Sequence, residues 1–243
     1  MTQKRVLLII PAYNEEQNIE ATIRQITAYP KQERYVLDYI VIDDGSTDRT
    51  GEICRQNRYP CVHLVQNLGI GGAVQTGYLY ASSHQYDAAV QFDGDGQHDI
   101  RSLNAILDPI LNGTADFCVG SRFLDGTSQF RSTALRQVGI RYLSILLRVL
   151  TGLRISDPTS GYRAASGAVA SYFARQYPVD YPEPESLVLL QKKGFRVSEA
   201  PVNMFPRNGG RSSIGWKQSV YYMIKGNTVQ NKGVQYREKY GKV

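Results

Sequence analysis

The sequence predicts an α/β fold, one domain built on a mostly parallel sheet covered by helices, and three observations predict it. Short β-branched runs alternate with amphipathic stretches across the first half of the chain. At 243 residues the chain can bury one substantial core. Its 42% hydrophobic and 21% charged residues are those of a folded protein, not of a chain disordered throughout. In order, residues 5–10, 39–42, 61–65, 87–92 and 116–119 read as strands, with helical patterns between them. After Gly120 the rhythm changes to a loop, a long helical segment over 134–151, a turn at Ser156-Asp157-Pro158-Thr159-Ser160-Gly161, and further helix and strand. Open parallel sheets bind ligands beyond the carboxyl ends of their strands, and most of the unusual polar residues fall there. Pro11-Ala12-Tyr13-Asn14-Glu15 follows the first strand, Asp43-Asp44-Gly45-Ser46 the second, Gln66-Asn67-Leu68-Gly69 the third, and Asp93-Gly94-Asp95-Gly96-Gln97-His98 the fourth.

Composition excludes several classes. The apolar run before Pro11 is too short for the h-region of a signal peptide. The stretch 142–153 is interrupted by Ser144, Arg148 and Thr151 and falls short of the roughly 20 apolar residues that span a bilayer. Cys54, Cys61 and Cys118 lie far from Cys-x-x-Cys spacing, and their odd number argues against a closed disulfide framework. Reduced thiols in a cytoplasmic protein are expected. The net charge of +6 is concentrated at the end: from Asn203 onward eight Lys or Arg stand against one Glu, which leaves the first 202 residues near neutrality. A basic tail on a neutral body points to an anionic partner, either a phosphate-bearing ligand or a membrane surface. No nucleic-acid-binding signature accompanies it, and nucleic acid is not expected as a partner.

Two turns carry the chemistry. Asp93-Gly94-Asp95 sets two carboxylates on a tight turn, suited to a hard divalent cation, Mg²⁺ or Mn²⁺, that also bridges a diphosphate. An isolated Asp-x-Asp is more often a solvated turn with an Asp capping the helix that begins near Asp99. Here, however, Asp43-Asp44-Gly45-Ser46-Thr47-Asp48 repeats the strand-then-acid arrangement. Ser46 or Asp48 can cap the following helix while Asp43 or Asp44 meets a base or ribose. Capping and ligand binding weigh equally for Asp48, and the ligand is favoured for Asp44. Gly69-Ile70-Gly71-Gly72 admits backbone amides approaching a phosphate at a helix start, or a tight turn needing positive φ, with the second preferred. His98 reads as a metal or phosphate ligand, or as a surface histidine.

Taken together, Ile-Pro-Ala-Tyr-Asn-Glu, Val-Ile-Asp-Asp-Gly-Ser-Thr-Asp, Asn-Leu-Gly-Ile-Gly-Gly-Ala and Asp-Gly-Asp-Gly-Gln-His resemble family-2 glycosyltransferases of the GT-A fold, with its Rossmann-like sheet. Gly120-Ser121-Arg122-Phe123, Asp157-Pro158-Thr159-Ser160-Gly161-Tyr162-Arg163 and Arg207-Asn208-Gly209-Gly210-Arg211-Ser212-Ser213 resemble the branch of dolichyl- and undecaprenyl-phosphate sugar transferases. The resemblance implies that Pro11, Tyr13, Glu15, Asp43, Asp44, Gly71, Asp93 and Gly94 hold a nucleotide sugar. It implies that Asp93, Asp95 and Gln97 stand at the metal and diphosphate, and that Asp95, Arg122, Asp157 and Glu185 take part in catalysis. Arg136, Arg207 and Arg211 would meet an acceptor phosphate, for which guanidinium forks are suited. A solvated arginine is the preferred reading at Arg136, and phosphate contact at Arg122 and Arg207. The resemblance further implies inverting transfer from a UDP-sugar, UDP-glucose or UDP-N-acetylglucosamine, to polyprenyl (undecaprenyl) phosphate for cell-surface polysaccharide assembly. The transferase domain would occupy 1–225, with its nucleotide-sugar and metal half in 1–120 and its acceptor half in 121–225. A basic polar tail would follow over 226–243.

A hydroxyl acceptor needs a base to take its proton. A lipid phosphate, with a second pKa of about 6 by analogy with phosphoamino acids, needs only arginines that place it. The Gln-x-x-Arg-Trp motif of processive relatives is absent, and Trp216 sits in Gly-Trp-Lys. Glu183 and Glu185 could each serve as a base, and transfer to a sugar hydroxyl with Glu185 as base is the rival reading; a non-catalytic nucleotide-sugar-binding subunit is another. The branch pattern Arg-x-x-Gly-x-Ser-Lys has Ser213 where a basic residue is expected. Residues 135–153 carry Arg136, Arg141 and Arg148, with Arg154 just beyond, and no acid, the composition of a helix at a bilayer interface. A buried core helix weighs equally. Residues 214–225, with Trp216, Tyr221, Tyr222 and Met223 near Lys217 and Lys225, can extend that surface or form a homo-oligomer contact. Attachment is expected to be peripheral, at the inner face of the cell membrane, directly or through a small membrane partner protein.

Overall fold

Strand β1, Lys4–Ala12, is apolar on both faces because it lies inside a sheet with helices on either side. A computed structural model of the chain describes residues 3–124, 134–178 and 181–205, without the side chains of 134–136. Six further strands complete the sheet: β2 Tyr35–Asp43, β3 Cys61–His63, β4 Ala88–Gln91, β5 Phe117–Ser121, β6 Arg163–Ser166 and β7 Val197–Pro201. Their order is β3-β2-β1-β4-β6-β5-β7, with β6 antiparallel to both of its neighbours and the other pairs parallel.

Alternation along β1 divides the core. Val6, Leu8 and Ile10 belong to the layer with helices α1, Ile19–Thr27, and α4, Leu103–Leu111, while α2, Thr50–Gln56, adds Cys54. Leu7 and Ile9 belong to the layer with α3, Gly69–Ser83, and, further along the chain, α6, Gly167–Arg175, and α7, Pro182–Lys192. The helices follow from spacing: Ile19, Ile23 and Ile26 in α1, and Leu103, Ile106, Leu107 and Ile110 in α4, each place one apolar stripe on the sheet. Burying each such side chain contributes about 1.5–3 kcal/mol. The remaining helix, α5, Ala134–Thr151, buries Ile140, Leu143 and Leu147.

The five strands expected from sequence are present with shifted ends. Strand β1 runs on through Pro11, in register with Ile42; the proline carbonyl accepts the Gly94 N–H (3.3 Å) at the end of β4. Strand β6 is only Arg163-Ala164-Ala165-Ser166, short and without a β-branched residue, and nothing in its composition announces an antiparallel strand in the middle of a parallel sheet. No helix among the described residues is long and apolar enough to cross a membrane.

Candidate active site

The order β2-β1-β4 puts the two acidic turns on one rim, at the carboxyl ends of the two strands that flank β1. The chain order reverses around β1, which is where an open sheet leaves a crevice. Backbone amides build its floor. Asn14, in the left-handed region at φ 56°, accepts the Thr47 N–H (2.8 Å) and the Asp48 N–H (3.3 Å) through Oδ1, and its own N–H donates to Ser46 Oγ (3.0 Å). Glu15 N–H donates to Thr50 Oγ1 (2.8 Å), and the Glu15 carboxylate accepts from Asn18 Nδ2 (2.8 Å). Asp48 accepts the Glu16 N–H (3.1 Å) and the Thr50 N–H (2.9 Å), so its role is to hold the start of α2 and the β1 loop together. Thus the motifs after β1 and β2 are two halves of one hydrogen-bonded platform, and Tyr13 stands exposed on it.

Asp43 and Asp44 are both buried. Asp43 accepts the Ser46 N–H (3.1 Å) and pairs with His63 Nδ1 (2.9 Å). Gly51 lies under it, where a Cβ would sit 2.7 Å from Asp43 Oδ2. Asp44 accepts the Leu68 N–H (2.7 Å) at the entry to α3. Burial pushes its pKa up; the Leu68 and Gly69 amides act against this, and the Asp43 charge adds to it. Gly69, at φ +77°, makes the turn into α3, as the preferred reading of that motif expects, and Gly71 is buried in the first helical turn.

In the second acidic turn Asp93 accepts from Gln91 Nε2 (3.0 Å), and Asp95 accepts the Gln97 N–H (3.0 Å). Gly94 fits because a Cβ there would lie 3.2 Å from the Pro11 carbonyl oxygen. Gln97 Nε2 points to the Phe205 carbonyl oxygen at 3.4 Å. His98 is neither on the surface nor turned outward. It is buried, its ring stacked on Tyr162 (4.5 Å between centroids) and edge-on to Phe92, and its Nδ1 accepts the Asp93 N–H (3.0 Å). Burial pulls its pKa down to about 4, although Asp95 acts in the other direction. The ring is therefore neutral at pH 7, with its proton on Nε2, 3.5 Å from Asp93 Oδ2.

The facing wall is the segment 156–163. Arg122 gives a fork to Asp157, Nε to Oδ2 (2.6 Å) and one terminal nitrogen to Oδ1 (2.7 Å), and the pair is buried. Glu199 in β7 accepts the Ser156 and Asp157 N–H groups (2.9 and 2.8 Å). Arg163, a fully buried side chain, donates to the carbonyls of Ser160 (2.6 Å), Pro158 (2.8 Å) and Glu183 (2.6 Å) and to Ser186 Oγ (2.8 Å). It stitches the turn to the start of α7. Between these anchors Gly161 passes beneath the acidic turn, where a Cβ would lie 2.8 Å from Asp93 Oδ2 and 3.1 Å from Gln91 Nε2. Burial raises the pKa of the Glu183 carboxyl, Arg163 opposes the shift, and the charge of Asp93 adds to it.

Residues 7–170 match the model of the glycosyl transferase family 2. The chain belongs to that family. The transferase is 31% identical over 222 residues to the UDP-N-acetylglucosamine–dolichyl-phosphate N-acetylglucosaminyltransferase of Methanococcus voltae, covering 83% of this chain and 86% of the relative. It is 29% identical over 231 residues to the undecaprenyl-phosphate mannosyltransferase of Micrococcus luteus, covering 86% and 87%. The fold matches the glucosyl-3-phosphoglycerate synthase of Mycobacterium tuberculosis, crystallised with Mn²⁺, UDP and glucosyl-3-phosphoglycerate, with a TM-score of 0.64 at 22% identity, over 86% of this chain and 73% of that one. The transferase thus has the GT-A fold expected from its motifs.

The structure gathers Pro11, Tyr13, Glu15, Asp43, Asp44, Gly71, Asp93, Gly94, Asp95 and Gln97 along this rim and its approaches. It gives Arg122 to Asp157. Both candidate bases, Glu183 and Glu185, lie in the first turn of α7, and the charge of Asp93 reaches the Glu183 carboxyl. The side chain of Arg136, and all of Arg207, Arg211, Ser213, Trp216 and the tail over 226–243, lie outside the described residues. Sequence reasoning missed Asn14, His98 as a buried support, Gly161 and Arg163. Only Gly161 carried a signal, a glycine inside a polar turn. Among the described residues, no group of three or more His, Cys, Asp or Glu side chains is arranged to hold a metal unaided. Two carboxylates from Asp93 and Asp95 do fit a hard cation that takes its other oxygens from a diphosphate.

Proposed function

We propose that this transferase moves a sugar from a nucleoside-diphosphate sugar to a polyprenyl phosphate, with inversion at the anomeric carbon and with help from Mg²⁺ or Mn²⁺. The observation that carries the reading is the rim itself: two acidic turns at the ends of the strands that flank β1, each held by backbone amides and facing one crevice. The polyprenyl-phosphate acceptor is supported by the names of relatives aligned over more than four fifths of both chains. Asp43 and Asp44 offer acceptors to ribose or base, and Tyr13 an exposed ring for stacking. Asp93 and Asp95, with Gln97, would hold the cation, which when bound supplies positive charge for the departing diphosphate. UDP-glucose or UDP-N-acetylglucosamine is the proposed donor, and cell-surface polysaccharide assembly the proposed use.

The acceptor phosphate is already an anion at neutral pH, so its attack needs placement and no base. In this reading Arg207 and Arg211 place it, while Arg122 and Asp157 hold the wall of the site. The transferase domain is proposed to extend over 1–225. A second reading, transfer to a sugar hydroxyl with Glu185 as base, is supported by the acidic first turn of α7, which carries Glu183 and Glu185 and where burial raises the pKa of the Glu183 carboxyl.

The test is release of nucleoside diphosphate from a panel of UDP- and GDP-sugars with Mn²⁺ or Mg²⁺, with and without undecaprenyl phosphate in detergent. Lipid-dependent release that EDTA abolishes supports the first reading. Release that appears only with a glycan hydroxyl acceptor, and is lost in Glu185→Gln, replaces it with the second.

A further inference from the structure

Helix α5 carries two apolar faces. Ile140, Leu143 and Leu147 are buried against the domain, and Ser144 Oγ donates to the Ile155 carbonyl, which ties the helix to the segment leading to Asp157. On the opposite side Val138, Tyr142, Ile145 and Val149 are 63%, 48%, 64% and 76% exposed. Their spacing is i, i+4, i+7, i+11, so the four lie within about 60° of one another around the helix. A helix on the surface of a soluble domain shows water its polar face; this one shows a stripe of branched and aromatic side chains. Arg141 and Arg148, both exposed, run along one flank of the stripe, and no acidic residue occurs between Ala134 and Ser156.

We propose that the outer face of α5 docks on an anionic lipid bilayer, with Val138, Tyr142, Ile145 and Val149 entering the headgroup boundary and Arg141 and Arg148 meeting lipid phosphates. Charge decides between this occupant and a second copy of the chain. Two copies meeting through this face would bring arginines together with no acid on the helix to offset them. An anionic leaflet offers apolar depth and negative charge side by side. The arrangement also gives the lipid-acceptor reading, on which its purpose rests, a physical route: the bilayer that holds α5 holds the acceptor beside the Arg122–Asp157 wall.

The experiment uses the full chain and vesicles of phosphatidylcholine alone or mixed with phosphatidylglycerol, read by co-sedimentation. The wild type is expected on the mixed vesicles, with binding that weakens as salt rises. The triple variant Val138→Gln/Ile145→Gln/Val149→Gln changes only exposed side chains, so its melting temperature should stay near that of the wild type while its vesicle affinity falls at least about tenfold. Arg141→Gln and Arg148→Gln should each cost about fivefold and flatten the salt dependence. Wild type that stays in the supernatant, or a triple variant that binds as tightly as wild type, overturns the proposal. So does a wild-type oligomer that the triple variant turns into monomer without change in vesicle affinity. Turnover separates the two readings: a short-chain, water-soluble isoprenyl phosphate should serve both proteins equally, while undecaprenyl phosphate in vesicles serves the wild type better. Vesicle binding without use of any polyprenyl phosphate would leave docking standing and remove the lipid-acceptor reading.

Discussion

The two walls of the crevice satisfy their acids in opposite ways. On the donor rim, Asp43, Asp44 and Asp95 accept backbone N–H groups from Ser46, Leu68 and Gln97. On the facing wall, Asp157 receives the guanidinium fork of Arg122 as well as that residue's N–H (3.2 Å). An amide orients a carboxylate without cancelling its charge, whereas a guanidinium does both. Backbone amides thus set the orientation of the rim carboxylates, and on the facing wall a guanidinium sets that of Asp157. Position in the fold alone would not separate these acids; the partner of each does.

The largest effect tests the rim. Asp95→Asn keeps an oxygen for the Gln97 N–H and should melt as the wild type does, but lose about 10²–10³-fold in metal-dependent turnover. Full activity in the folded variant would remove Asp95 from the chemistry. The facing wall should respond in the other currency. Asp157→Asn leaves a buried guanidinium without its counter-charge and should destabilise the domain by about 3–5 kcal/mol, read by denaturant unfolding. A variant as stable as wild type and yet inactive would move Asp157 from support to catalysis and redraw the contrast.

Between these lies Gly161, where the wall touches the rim. Gly161→Ala would set a Cβ 2.8 Å from Asp93 Oδ2, and the carboxylate must shift to make room. The expected result is about a tenfold rise in the Mn²⁺ concentration needed for half-maximal turnover, with a small change in stability, since a carboxylate at the mouth of a crevice moves more readily than a core side chain. An unchanged metal requirement would mean that Asp93 does not depend on the wall beneath it.

The donor side was legible in sequence because its chemistry is local. Each acidic turn follows its own strand within a few residues, so a strand pattern and a motif together place Asp43, Asp44, Asp93 and Asp95. What sequence did not show are contacts between distant segments. Asn14 reaches across 33 positions to Thr47, Arg163 reaches 20 to Glu183, and Tyr162 stacks on His98. His98 illustrates the difficulty: beside two acids in sequence it reads as a ligand or a surface residue, but its ring lies in the core, where Nδ1 accepts the Asp93 amide and Nε2 lies 3.5 Å from the Asp93 carboxylate. Arg122 reads as a phosphate ligand in sequence, and the residue that orients its guanidinium, Asp157, lies 35 positions away. Strand β6 was hidden for a related reason. A four-residue strand takes its conformation from the neighbours that pair with it, and its own side chains say little.

The smallest effect concerns Asp99, which joins rim and wall from below. Its carboxylate accepts from Arg101 Nε and N–H and from Asn203 Nδ2 (3.2 Å), and its carbonyl accepts from Tyr162 Oη (3.3 Å). Burial alone would raise its pKa, but the bonds from Arg101 and Asn203 outweigh burial and hold it below the usual carboxylate value. A depressed folded-state pKa means that the ionised carboxylate stabilises the native state above the unfolded value of about 4, and that this contribution fades as pH falls through the folded value. Wild type should therefore exceed Asp99→Asn in stability by a constant margin from neutral pH down to about 4.5, and the two should converge below that. The margin should be slight because Arg101 is 73% exposed and solvent screens the pair. A margin that persists undiminished in strong acid would show that Asp99 acts through shape alone, and that the amide-held acids of the rim have no charged counterpart beneath them.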